Sequence, residues 1–210
     1  MNRAVGFISL LVLLFSACSD RELSTTKSSS KIFSEIEVAS SGIDFRNDLS
    51  VTDSMNFFTY GYFYMGGGVA VGDFNQDGLE DVFFTGNMVE NKLYLNQGDL
   101  NFEDITKSSG ITSASKWYTG VTVADVNQDG LEDIYISVAG KWRSRKNELW
   151  INQGSNESGI PQFTEEAEAY GVADASYSIQ SVFFDYDNDC LLYTSPSPRD
   201  AHESRMPSSA

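Results

Sequence analysis

Apolar residues along this chain come in short runs, rich in β-branched and aromatic side chains, each closed by Gly, Asn or Asp. Gly68-Val-Ala-Val, Val82-Phe-Phe, Leu93-Tyr-Leu and Phe102-Glu-Asp-Ile follow one another in that order. Gly120-Val-Thr-Val, Ile134-Tyr-Ile, Leu149-Trp-Ile and Phe163-Thr-Glu-Glu then repeat the series. Runs this short, bounded by turn residues, predict strands rather than helices. Each series also carries a shared tail: Asn91-Lys-Leu-Tyr-Leu-Asn-Gln-Gly98 with Ser109-Gly-Ile111, and Asn147-Glu-Leu-Trp-Ile-Asn-Gln-Gly154 with Tyr170-Gly-Val172. A third series opens at Ser178 and holds only Val182-Phe-Phe-Asp185 and half a turn. Four strands per unit, repeated along the chain, predict blades of a propeller, each burying its faces against its neighbours.

Between the first two strands of each unit lies one nine-residue polar loop. It reads Asp73-Phe-Asn75-Gln-Asp77-Gly78-Leu79-Glu-Asp81, and again, 52 residues on, Asp125-Val-Asn127-Gln-Asp129-Gly130-Leu131-Glu-Asp133. Oxygen-bearing side chains at alternate positions suit a hard cation such as Ca²⁺, and Gly allows the chain to bend around it. Side chains at positions 1, 3, 5 and 9, with the carbonyl at position 7, are expected to surround one ion. An EF-hand is excluded. That loop needs Glu at position 12 and a helix on either side, and position 12 is Phe84 in the first copy and Ile136 in the second.

These motifs resemble the FG-GAP/VCBS repeats of integrin-α-type β-propellers, and within them the branch related to cartilage acidic protein, which is often followed by an ASPIC/UnbV domain. The resemblance runs from about Ile32 to Asp189. It implies an all-β fold, here about two four-stranded blades plus edge strands of a seven-bladed ring, with structural calcium in loops on one face. Carried over by residue, the ligands are Asp73, Asn75, Asp77, Leu79 (carbonyl) and Asp81, then Asp125, Asn127, Asp129, Leu131 (carbonyl) and Asp133. Asp185, Asp187 and Asp189 match the start of a third site, which departs from the pattern at Cys190, where Gly is expected. Ile32-Phe33-Ser-Glu35-Ile36 with Ser41-Gly42-Ile43 matches the fourth strand of the later units and is expected to close the ring by pairing with its final blade.

The ends of the chain differ from this core. Residues 1–17 combine a charged start with an apolar run too short to span a bilayer, as in a signal peptide. The run ends Leu14-Phe-Ser-Ala-Cys18, which resembles a bacterial lipobox, and Cys18 is the expected site of lipid attachment. Residues 18–31 are Ser/Thr-rich and fit a flexible tether. Residues 190–210 break the repeat in mid-loop and back-translate, in frame, to a transposase sequencing adapter. They are set aside from fold reasoning as an appended scar, which makes residues 32–189 an incomplete propeller.

Charge narrows the function. The net charge is −16, and the acidic loops supply much of it. An acidic chain does not suit nucleic acid, which needs a basic face. Cys18 is assigned to lipid and Cys190 to the scar, so no disulfide is expected. The sole His, His202, also lies in the scar, which leaves no Ser-His-Asp or Cys-His catalysis in the repeats. Lys141-Trp-Arg143-Ser-Arg145-Lys146 reads as a solvated loop, Tyr60 to Tyr64 as packing, Gly66-Gly-Gly68 as close backbone approach, and Glu80 and Glu132 as solvated loop positions. The expected protein is a lipid-anchored, calcium-binding scaffold of the bacterial envelope, outer-membrane or surface-exposed, binding a protein or glycan and not an enzyme. The alternative is the N-terminal part of a secreted carbohydrate-active lyase or hydrolase whose catalytic residues lie beyond Asp189.

Overall fold

The computed structural model describes residues 33–114, 116–141, 143–185, 193–196 and 204–205. The predicted signal peptide, Cys18, the tether, Trp142, Asp187, Asp189, Cys190 and His202 lie outside the described residues. The chain divides into two compact units, Met1–Glu35 and Ile36–Ala210. Of the first, only residues 33–35 are described; they are exposed and irregular.

The second unit is built as partial propeller blades. β1 (Val69–Gly72), β2 (Asp81–Phe84), β3 (Lys92–Asn96) and β4 (Phe102–Asp104) form one antiparallel sheet in chain order. β5 (Trp117–Ala124), β6 (Asp133–Ala139), β7 (Glu148–Ser155) and β8 (Pro161–Glu165) form the second. The main core lies between them: Phe74, Phe83, Leu93, Ile105 and Ile111 of the first blade meet Tyr118, Ile134, Ile136, Val138 and Phe163 of the second. A second cluster on the other face of β6 and β7 includes Tyr135, Leu149 and Ile151, with Phe183 packed against it. β6 is therefore buried along its whole length, which explains why its run is apolar without alternation. Side-chain hydroxyls stitch the inner strands of neighbouring blades: Thr85 Oγ1 donates to the Thr119 carbonyl (2.7 Å), and Thr119 Oγ1 to the Ser178 carbonyl (2.9 Å). Gly67 and Gly68 lie where backbones nearly touch, because a Cβ on Gly68 meets the Thr119 carbonyl oxygen at 2.8 Å. That is the close approach expected from the glycine run.

A blade's faces depend on its neighbours. Val121 follows a completed blade and is 7% exposed; its counterpart Val69 in the first blade is 59% exposed. Ser41-Gly42-Ile43 partly supplies the neighbour that the first blade needs. The segment around it forms no ladder strand, only the short helix α1 (Val38–Ser41), since the strands it is expected to pair with belong to another blade. Its turn nevertheless sits as the outer turn of a preceding blade sits. A Cβ on Gly42 meets the Phe102 carbonyl oxygen at 2.3 Å, as one on Gly110 meets the Phe163 carbonyl oxygen at 3.1 Å. Beyond it, Phe45 stacks on Phe84 (4.9 Å between centroids), and the Tyr94 hydroxyl bonds Asp44 Oδ1 (2.7 Å).

A third sheet begins with β9 (Ser181–Phe184), which pairs with β10 (Tyr193–Pro196), itself paired with β11 (Ser204–Arg205). The pairing of Phe184 with Tyr193 repeats that of Ala124 with Asp133, displaced by one repeat. Residues set aside at the sequence level thus take the position of a second strand. The pairing is made by the main chain, and an open strand edge accepts any extended segment that follows it.

One difference between blades yields a stability prediction. In the second blade, Asn147 Nδ2 bonds the Tyr135 hydroxyl (2.9 Å), which donates to the Val172 carbonyl (2.8 Å). In the first blade the matching residues are Asn91 and Phe83, and the buried Asn91 Nδ2 has no hydrogen-bond partner among the described residues. Phe83→Tyr is expected to supply that partner and stabilise the chain by about 1 kcal/mol. A higher urea midpoint at unchanged slope is the expected reading; a lower midpoint means that the hydroxyl overpacks the site.

Candidate functional site

The two acidic loops share one geometry. In the first, Asp73 Oδ1 accepts from the Asp77 amide (3.0 Å) and Asp73 Oδ2 from the Gly78 amide (2.9 Å). Asp77 Oδ1 accepts from the Leu79 amide (2.8 Å), and Asn75 Nδ2 donates to Asp77 Oδ2 (2.9 Å). In the second, Asp125 Oδ1 accepts from Asp129 (3.2 Å) and Asp125 Oδ2 from Gly130 (2.9 Å). Asp129 Oδ1 accepts from Leu131 (2.8 Å), and Asn127 Nδ2 donates to Asp129 Oδ2 (2.9 Å). The wrap turns at Gly78 (φ 86°) and Gly130 (φ 87°), a region that residues with a Cβ rarely adopt. Gln76 (φ 60°) and Gln128 (φ 61°) take left-handed conformations despite having a Cβ.

The closing residue of each loop is buried. Asp81 and Asp133 are both at most 1% exposed. Asp81 accepts from the amides of Phe74 (3.1 Å) and Asn96 (2.8 Å), and Asp133 from those of Val126 (2.9 Å) and Asn152 (2.8 Å). Each carboxylate thus ties the start of its loop to the third strand of its blade. Burial pushes both carboxyls up to about 6, with the other two loop aspartates adding repulsion.

Among the described residues, no three His, Cys, Asp or Glu side chains converge to hold a metal by themselves. The loops offer a mixed set instead: carboxylates, an Asn oxygen and a backbone carbonyl. An amide donor occupies only one lone pair of a carboxylate oxygen, leaving the other for a cation. The donor set therefore fits a hard, oxygen-seeking ion, with the backbone wrap already formed. Asp185 follows β9 at the start of the third loop.

Residues 73–136, covering the first loop through the strand that follows the second, match the family described as FG-GAP-like repeat. That stretch carries an FG-GAP-like repeat. It is 32% identical over 132 residues to cartilage acidic protein 1 of Xenopus tropicalis, covering 60% of this chain and 18% of that protein. The human protein of the same name is 30% identical over 132 residues, with the same shares of each chain. The mouse protein is 36% identical over 77 residues, covering 37% of this chain and 12% of that protein. The match therefore spans less than a fifth of these relatives' length.

Contacts between the first loop and the second blade are not legible in the sequence. Gln76 Nε2 donates to the Gly130 carbonyl (2.7 Å), and Asn152 Nδ2 donates to the Phe74 carbonyl (2.9 Å). The Glu132 carboxylate lies beside Gly72, where a Cβ would meet its Oε2 at 2.3 Å. Glu132 is half-buried, which corrects its reading as a solvated position, while Glu80 is exposed as expected. The only available signal was that Gln and Glu recur at the fourth and eighth loop positions. Recurrence alone does not show which neighbour a side chain meets.

The remaining candidates are mostly engaged in packing. In the basic stretch, Lys146 pairs with Glu168, Arg145 lies over the Tyr177 ring (4.4 Å), and Lys141 Nζ contacts the Thr59 carbonyl (3.5 Å). Arg143 borders a cavity of about 190 Å³ shared with Met55, Met88 and Trp117. Of the aromatic stretch, Tyr60 and Phe63 are buried against Trp117, whereas Tyr62 and Tyr64 are exposed. Trp117, Tyr118 and Trp150 are buried in the blades.

Proposed function

We propose that this chain belongs to a calcium-stabilised propeller that serves as a binding scaffold at the bacterial envelope, held to the membrane by lipid on Cys18. The observation that carries the calcium reading is the bond-for-bond identity of the two loops. Each adopts the same costly left-handed wrap and leaves the same oxygens available. Asp73, Asn75, Asp77 and the Leu79 carbonyl, with Asp81 at the base, would hold one ion. Asp125, Asn127, Asp129, the Leu131 carbonyl and Asp133 would hold the next, and Asp185, Asp187 and Asp189 begin a third set. When bound, calcium supplies positive charge that offsets the repulsion among the loop carboxylates. The protein residues fix the wrap: Asp81 and Asp133 anchor each loop to its third strand, and Gly78 and Gly130 set its bend. The partner would be a protein or glycan recognised by the assembled ring.

Equilibrium dialysis against ⁴⁵Ca tests the metal. The full chain is expected to bind at least one ion per complete loop, and Asp77→Ala and Asp129→Ala each to lose one. Unchanged stoichiometry in either variant removes that residue from the ligand set. Palmitate labelling of Cys18 in cells, compared with Cys18→Ser, tests the anchor separately.

A further inference from the structure

We propose that the acidic loops of neighbouring blades load calcium as a coupled series, with Gln76 and Glu132 as the positioning residues that carry the coupling. This rests on the calcium reading above and goes beyond it, because a structural ion in each loop does not require the loops to sense one another.

The contacts run in both directions. Gln76, in the first loop, donates across the blade boundary to the Gly130 carbonyl of the second. Glu132, in the second loop, sets its carboxylate against Gly72, next to Asp73, the opening residue of the first: a Cβ on Gly72 would meet its Oε2 at 2.3 Å. Each contact ends on or beside a residue that the ion would fix. The Gly130 amide is held by Asp125 Oδ2 (2.9 Å), and the next residue, Leu131, supplies the carbonyl ligand. Asp73 is itself a predicted ligand, and its Oδ2 holds the Gly78 amide (2.9 Å).

The backbone shows why this matters. Gln76 is held at φ 60°, where a residue with a Cβ is disfavoured. Its side-chain bond to Gly130 helps to hold the wrap of the first loop. An ion that orders the second loop fixes Gly130 and Glu132 in place. The first loop then closes onto partners already ordered, and less entropy remains to be lost when its own ion binds. Reciprocity requires the first ion to favour the second by the same factor. Glu132 further depends on Gly72, whose missing Cβ leaves the space that the carboxylate occupies. Glu80 and Gln128 hold the matching positions, so the same clasp can repeat at each blade boundary of a complete ring. Glu80 is exposed here, with no earlier loop described before it.

Calorimetric titration of the full chain with Ca²⁺ alone tests the proposal. The parent is expected to give a sigmoidal curve, its later ion binding roughly five-fold or more tighter than its first. Gln76→Gly keeps the left-handed backbone accessible while removing the side chain. It is expected to bind the same number of ions along a hyperbolic curve. Glu132→Ala is expected to do the same from the other side of the boundary, and circular dichroism confirms that each variant is folded. If a variant fails to fold, the shape of the parent curve still decides. Independent binding of all ions in the parent, or a folded Gln76→Gly that remains sigmoidal, overturns the coupling while leaving calcium binding intact. A parent that binds no calcium overturns both readings.

Discussion

Removing calcium with excess EDTA is expected to lower the melting temperature of the full chain by about 6–12 °C relative to 1 mM Ca²⁺. Extracellular calcium modules bind with Kd of about 10⁻⁴–10⁻³ M. At a Kd of about 0.1 mM, each occupied loop adds about 1.4 kcal/mol at that concentration. Two complete loops add about 3 kcal/mol, and for a chain of this size each kcal/mol moves the midpoint by about 2–4 °C. Without an ion, Asp73 sits with Asp77 and Asp125 with Asp129, offset only by amide donors and one Asn on each side. Mg²⁺ at the same concentration is not expected to restore the midpoint, because it demands a tighter octahedron and gives up water reluctantly. Differential scanning calorimetry in the two buffers makes the measurement. A midpoint indifferent to chelator would show that amide donors alone satisfy the loops.

The largest loss from a single substitution is expected at Glu148→Ala, about 3–5 kcal/mol in urea denaturation. Glu148 is buried in β7 and pairs with Lys116 Nζ at 2.7 Å. Its carboxylate also accepts from the Tyr118 hydroxyl and from Trp150 Nε1, each at 3.1 Å. Removing it leaves a mostly buried ammonium and two buried donors without their acceptor, and that uncompensated charge dominates the loss. The matching position in the first blade is Lys92, which pairs with Asp104 at 2.6 Å and is partly exposed. Lys92→Ala is expected to cost less than about 1 kcal/mol, since solvent screens such a pair. Combining Glu148→Ala with Lys116→Met should recover part of the loss by removing the stranded charge. Equal, small losses at Glu148 and Lys92 would show that burial does not separate the two pairs.

Much of this architecture is legible from local pattern. The strand runs, the turn glycines and the nine-residue loop recur in order, and both complete blades form with the strand order expected of them. The Asn-Gln-Gly tail was visible as a repeat without a role. In the structure the Asn96 side-chain amide donates to the Glu80 carbonyl (2.9 Å) and that of Asn152 to the Glu132 carbonyl (3.3 Å), clamping the end of each loop to its blade. The Lys116–Glu148 pair was not legible, because the two residues lie on separate elements and the first blade carries no counterpart. The aromatic stretch was only partly legible. Composition marks Tyr60 and Tyr62 alike, yet one is buried on Trp117 and the other faces solvent.

The sequence by itself determined the unit: short apolar runs form strands, and Asp, Asn and Gly at fixed spacing form a tight left-handed wrap. Both depend on residues within a few positions of one another, where backbone conformation and side-chain chemistry act locally. Only the tertiary structure decided what each unit faces. It buried Val121 and exposed Val69, filled the space beside Gly72 with Glu132, and set Gln76 against the next loop. Those outcomes depend on stacking one blade on another, which brings together residues that no local spacing connects.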